Sequence, residues 1–291
     1  MFRGVYTALV TPFASDGAVD EPRLRDLVDA QIAGGVDGLV PVGTTGESPT
    51  VTHEENIRIV EIVVEQAGNR VPVIAGTGSN STAEAIDMTV RARDVGATAT
   101  LQVTPYYNKP SQEGLYRHFS TIADRGGLPV VVYNIPGRTG RNVENETMIR
   151  LAGHDNIVGV KEASASMAQV MELVHSRPDG FCILSGDDNL TLPIVMLGGD
   201  GVISVASNVV PDRMKSLVEE ALSGNAERAR TLHYELLPLF RAVFLDTNPI
   251  PVKYALAALG RMEEVYRLPM CELSDDNKRK LDGVLDQLQI R

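Results

Sequence analysis

The sequence predicts an α/β fold, a (β/α)8 TIM barrel with a C-terminal helical extension, on three observations. Eight short apolar runs recur at a steady pace. Amphipathic stretches at helical spacing lie between them, with no long linker to divide the chain. From Pro211 onward only the helical periodicity remains.

The first run, "VYTALVT" from Val5, is followed by "VDGLVPVG" from Val36, "VPVIAG" from Val71 and "TATLQVT" from Thr98. The other four are "LPVVVYN" from Leu128, "NIVGVKE" from Asn156, "FCILSG" from Phe181 and "GVISVA" from Gly201. Each is a near-continuous stretch of apolar and branched residues, as strands buried on both faces require. Intervening segments such as "EENIRIVEIVVEQAG" and "TAEAIDMTVRARDVG" repeat apolar positions at helical spacing and end on glycine. Helical segments beginning near Pro211, Asn225, Pro249 and Ser274 exceed what one barrel-closing helix needs. Residues 1–224 therefore read as the barrel and 225–291 as the extension, packed against it.

Composition narrows the function. A formal net charge of −11, with no basic cluster longer than "NKRK", argues against a nucleic-acid partner. No window has the apolar length of a membrane span, and "MFRGVYTALVTPF" is too short in its apolar part for a secretory signal, so the expected place of work is the cytoplasm. Cys182 and Cys271 show neither metal-ligand nor disulfide spacing and are expected as buried reduced thiols. The histidines at 53, 118, 154, 175 and 233 show no metal or triad spacing, and most are expected at surface or capping positions.

Active sites of such barrels lie where the strands end at their C-terminal side. Those positions carry "GTTGES", "GTGSNS", "TPYYNKP", "YNIPGRTG", Lys161, "SGDD" and "ISVAS". Lys161 interrupts an apolar run, and an unpaired buried charge is costly, so the lysine is either paired or used. It could be a salt-bridge partner, a phosphate ligand or, if desolvation favours the neutral amine, a nucleophile toward carbonyl carbon. Lys161 shares its face with Gly159, expected to leave room beneath it. Tyr133 ends the neighbouring strand, roughly 4.8 Å away, and reads either as a core residue or as a phenol within reach of the amine. Thr44 and Thr45 lie across the mouth. Their "GTTG" turn suits either a carboxylate or a helix N-cap, with Ser48 or Thr50 starting the next helix. "GTGSNS" is a weak dinucleotide signal without a third spaced glycine.

Five motifs in order, "GTTGES" at 43–48, "TPYYNKP" at 104–110, "YNIPGRTG" at 133–140, "GVKEAS" at 159–164 and "TNPIPVK" at 247–253, closely resemble the dihydrodipicolinate synthase family over essentially the whole chain. The resemblance implies condensation of pyruvate with L-aspartate 4-semialdehyde on the route to diaminopimelate and lysine. It makes Lys161 the imine former, Tyr133 the proton donor and acceptor, and Thr44 with Tyr107 a proton relay, Tyr107 serving a neighbouring subunit. Thr45, Ile203 and Gly186 match pyruvate contacts, and no metal or organic cofactor is implied. The implied assembly is a homotetramer, a dimer of dimers. Arg138 after "NIPG" suits a second carboxylate, which favours the synthase over the family's relatives, N-acetylneuraminate lyase and keto-deoxy sugar-acid aldolases. Ser48, His53, Asn80, Glu84 and Tyr106 match an L-lysine effector site. Asn56, where strongly inhibited members carry histidine, and Pro49, in place of a small residue, predict weak or partial inhibition. A barrel in which Lys161 binds phosphate would want a glycine-rich site after strands 7 and 8, where this chain has the acidic "SGDD".

Overall fold

The computed structural model describes residues 2–291. Each of the eight apolar runs contains a strand: β1 (Gly4–Ala8), β2 (Gly38–Val40), β3 (Ile74–Gly76), β4 (Ala99–Val103), β5 (Val130–Asn134), β6 (Ile157–Glu162), β7 (Cys182–Ser185) and β8 (Gly201–Ser204). All pairings are parallel, in the order β2-β1-β8-β7-β6-β5-β4-β3. The ring closes between β2 and β3, where the Leu39 N–H donates to the Pro72 carbonyl and the Gly76 N–H to the Pro41 carbonyl, both at 3.0 Å. Closure leaves no open edge, and alternation sends Tyr6, Ala8, Val40, Leu101, Val131, Leu184 and Ile203 into the barrel.

Outside it lie α1 (Glu21–Ala33), α2 (His53–Ala67), α3 (Thr82–Asp94), α4 (Gln112–Arg125), the short α5 (Pro136–Thr139), α6 (Asn145–Ala152), α7 (Met167–Ser176), α8 (Thr191–Met196) and α9 (Pro211–Leu222). Three more follow, α10 (Ala226–Ala242), α11 (Ile250–Ala258) and α12 (Asp275–Gln287). Their Leu236, Phe240, Leu256, Leu281 and Leu285 belong to the same apolar cluster as Leu24, Val28 and Met214 of the barrel helices. That shared core, which also holds Val5, Leu39 and Val202, ties the C-terminal helices to the side of the barrel that carries β1, β2 and β8.

Two expectations are corrected. Helix α2 starts neither at Ser48 nor at Thr50. The Thr52 side chain caps it, and Glu55 returns a bond to the Thr52 N–H at 2.8 Å. Ser48–Thr50 instead form a short 3-10 turn of their own, in which the Thr50 hydroxyl donates to the Glu47 carbonyl at 3.0 Å. Cys182 is buried but Cys271 is exposed, lying in the irregular segment before α12. The histidine expectation holds for His53, His154 and His175; His118 and His233 are buried because each falls on the inward stripe of its helix, beside Leu115 and Phe119 on α4 and beside Leu232 and Leu236 on α10.

Candidate active site

The β5–β6 register places Tyr133 directly opposite Lys161, and both side chains point into the barrel. Lys161 is 4% exposed, its Nζ 4.2 Å from the centroid of the Tyr133 ring. Among the described residues no carboxylate stands at ion-pair distance from it. The charge that Lys161 faces is Asp187, whose carboxyl burial pushes up while Lys161 opposes the rise. Gly186 precedes that aspartate. A Cβ at Gly186 would lie 3.3 Å from Lys161 Cε and 2.7 Å from Ala163 Cβ, so a side chain there would crowd the lysine stem. Gly159 serves a different purpose from the one expected. Cys182 Sγ fills the space where its side chain would stand, so the glycine accommodates that thiol rather than leaving room under the lysine.

Opposite, the "GTTGES" turn is held in an uncommon shape, with Val42 and Glu47 in the left-handed region at φ 54° and 53°. The N–H groups of Gly46 and Ser48 both donate to the Gly43 carbonyl, at 3.1 and 3.3 Å. What fixes the turn comes from the C-terminal helices. Glu47 is paired with Lys253 of α11, and the two side chains are 1% and 0% exposed. The Lys253 ammonium also sits 4.3 Å from the Phe13 ring centroid. Arg267 closes the bundle from outside, donating to both Glu55 oxygens at 2.7 and 2.8 Å and to the carbonyls of Gly17 and Thr50. Thr45 is buried and its hydroxyl accepts a bond from Asn248 Nδ2 at 3.0 Å. Arg138, exposed on α5, donates to the Asn248 carbonyl at 3.3 Å. Thr44, Tyr133 and Arg138 line one cavity of about 390 Å³.

Two buried lysines thus differ in kind. Lys253 has a carboxylate partner inside the protein and Lys161 has none, packed against Tyr133, which lines a cavity large enough for a small molecule. The family model of the dihydrodipicolinate synthetase (DHDPS) family matches residues 1–288. The chain belongs to that family. A 4-hydroxy-tetrahydrodipicolinate synthase of Chlorobium phaeobacteroides is 53% identical over 287 residues, 98% of this chain and 96% of the relative. The crystal structure of the dihydrodipicolinate synthase from Aquifex aeolicus superposes with a TM-score of 0.98 at 46% identity, covering 99% of each chain. A DHDPS structure from Cyanidioschyzon merolae with lysine bound does so at 0.97 and 41% identity, covering 100% of this chain and 99% of that one.

Within this DHDPS-family chain, the cavity continues outward to Ser48, His53, Glu84 and Tyr106, four of the five effector candidates. His53 Nε2 lies 2.6 Å from Glu84 Oε1, and the Ser79 hydroxyl donates to Glu84 Oε2 at 2.6 Å. Asn80 stands beside them, donating to the Tyr106 carbonyl at 3.1 Å. Asn56 donates to the Gly76 carbonyl at 3.4 Å, while its buried Oδ1 has no partner among the described residues. Tyr107 and Ile203 do not line the cavity, and neither do Lys161, Thr45 and Gly186, of which Lys161 meets it through its contact with Tyr133. Tyr107 is 90% exposed at φ 70°, and Ile203 is fully buried with its side chain in the barrel interior. Residues that sequence reasoning passed over are Glu47, Asp187, Asn248 and Lys253. Their signal was the placement of charged and amide groups inside "GTTGES", "SGDD" and "TNPIPVK", though only the fold brings the first and last together.

Proposed function

We propose that this chain catalyses the condensation of pyruvate with L-aspartate 4-semialdehyde, the 4-hydroxy-tetrahydrodipicolinate synthase reaction of the diaminopimelate route to lysine. The observation that carries the reading is Lys161, buried, without a carboxylate partner and in contact with Tyr133. The neutral amine attacks the keto carbon, water leaves, and the resulting iminium accepts the electron pair released when a methyl proton is lost. The enamine attacks the aldehyde carbon, whose oxygen takes up a proton, and the amino group of the semialdehyde then adds to the iminium carbon, closing the ring and expelling the Lys161 amine. The iminium is itself the electron sink, so the reaction needs no metal or organic cofactor.

In this reading Tyr133 carries protons to and from the reacting atoms, relayed through Thr44 and through Tyr107 of a second copy. The exposure of Tyr107 supports its service to another subunit. Thr45, Gly186 and the Ile203 backbone hold pyruvate, and Arg138 receives the carboxylate of the semialdehyde. A dimer is then the smallest active unit. Exposed Met171, Met196, Leu197 and Tyr234 support a second contact, making a homotetramer. The cytoplasm suits both substrates and the two free thiols. L-lysine is the proposed effector of the His53–Glu84 end of the cavity, where the Glu84 carboxylate can receive an ammonium. Inhibition at millimolar lysine is partial, and activity unchanged at that concentration would refute the effector assignment.

The deciding experiment is incubation with pyruvate followed by borohydride reduction and peptide mass spectrometry. An adduct on Lys161 is expected, and its absence would sink the imine mechanism. Semialdehyde turnover by wild type and Arg138→Ala then tests the second substrate, with a raised KM for the aldehyde expected in the variant.

A further inference from the structure

We infer that Asn248 is a positioning residue that sets the direction of the Thr45 hydroxyl and so readies it to donate to the carboxylate of the keto acid. The inference rests on the proposed reading of Thr45 as a pyruvate contact. Asn248 lies in the segment between α10 and α11, outside the strand ends where barrel chemistry is normally sought. It is 5% exposed. Its Nδ2 donates to Thr45 Oγ1 at 3.0 Å.

A threonine hydroxyl has one proton to give. Once an amide N–H occupies an acceptor position on Oγ1, the proton of that hydroxyl has no role in the Asn248 contact and is left to point elsewhere. No hydrogen bond donated by Thr45 Oγ1 to protein occurs among the described residues, so the donor is free for a ligand. The opposite amide orientation would put Oδ1 against Thr45 and draw the hydroxyl proton toward Asn248. It would also leave the NH2 group buried, in the place where Oδ1 now has no partner, and two unpaired donors are worse than one unpaired acceptor. The observed orientation is therefore the favoured one. The backbone of the same residue acts on the other side of the mouth, since its carbonyl accepts from Arg138 Nη2 at 3.3 Å. Asn248 thus sits between the groups proposed to hold the two substrate carboxylates.

A double-mutant cycle on the full-length enzyme separates positioning from a merely structural role. Asn248→Ala is expected to raise the KM for pyruvate about tenfold, the size of a lost hydrogen bond to a charged group, with kcat changed less than threefold. In a Thr45→Val background the same substitution is expected to leave that KM within about twofold, because there is no hydroxyl left to direct. Asn248→Ser, too short to reach Thr45 yet still polar, repeats the cycle should the alanine variant fold poorly, as judged by circular dichroism. Thr45→Ser in the wild-type background should retain pyruvate affinity and Thr45→Val should lose it, which tests the donor without touching Asn248. Equal KM increases in both backgrounds would overturn the inference, as would a pyruvate KM unmoved by Asn248→Ala. Borohydride trapping of wild type tells the two failures apart. No adduct there defeats the imine reading itself, whereas an adduct with an additive cycle defeats only the role of Asn248.

Discussion

Replacing Lys253 with methionine should cost the protein more than any surface charge could. The side chain is fully buried, paired with a Glu47 that is 1% exposed, and methionine matches its length without its charge. Burial alone draws the Lys253 pKa down and Glu47 opposes that, so the pair persists by mutual compensation. With the ammonium gone, Glu47 keeps only the Arg267 N–H at 3.4 Å. An uncompensated buried carboxylate costs about 3–5 kcal/mol, which for a chain of this size lowers Tm on the order of 10 °C. The damage is local to the substrate side, because Glu47 stands in the turn of Thr44 and Thr45. Differential scanning fluorimetry at fixed protein concentration reads the stability, and steady-state kinetics should show the KM for pyruvate rising several-fold. The double variant Glu47→Gln with Lys253→Met removes both charges and should regain more than half of the lost Tm. A single variant within two degrees of wild type would refute the argument, and so would a double variant no more stable than the single.

Three further outcomes are expected. Lys161→Ala should abolish the borohydride-trapped adduct while leaving Tm equal to or above that of wild type, since it removes a buried, unpaired amine. Tyr133→Phe should keep the fold and slow turnover by about 100-fold or more, a defect visible in kcat and in the rate of adduct formation. His118 should make the protein acid-sensitive. Burial lowers its pKa from 6.5 to about 4, so its neutral form is the one that the fold accepts. The stability is fully present above pH 6.5 and is lost as pH falls toward 4. At 1.36 kcal/mol per pH unit the gap is worth on the order of 3 kcal/mol. Urea titrations between pH 7 and 4 on wild type and His118→Gln measure it, and equal slopes in the two proteins would refute the assignment.

The barrel was legible because its strands are buried on both faces. Such strands write themselves as continuous apolar runs, and all eight runs contain a strand. Lys161 stood out for the same reason, as a charge inside a run that tolerates none. The Glu47–Lys253 pair was not legible, because a charge in a turn and a charge on a helix both read as solvent-facing until tertiary packing covers them. Local rivalry hid the start of α2, where Ser48, Thr50 and Thr52 are all plausible caps and only Thr52 has a glutamate three residues on. Gly159 was misread as room beneath Lys161, because the thiol that fills its space, Cys182, comes from the next strand and depends on register. Asn248 was invisible in its role because an amide does not reveal which hydroxyl it will meet.

The contrast between the two lysines shows how one residue type is set to opposite ends. Lys253 is compensated by the protein, so it can only hold structure: its ammonium is committed to Glu47 and enclosed by Phe13 and Tyr266. Lys161 is left uncompensated, with the face of one aromatic ring and a half-buried Asp187 for company. In the proposed reaction, that arrangement leaves the amine uncommitted and free to attack an electrophile. A partner carboxylate for Lys161 would stabilise the fold and silence the reaction. Introducing one, by Ala163→Glu for example, should therefore move stability and adduct formation in opposite directions if the new carboxylate reaches the amine. A parallel rise in both would show that the absence of a partner is incidental to the chemistry.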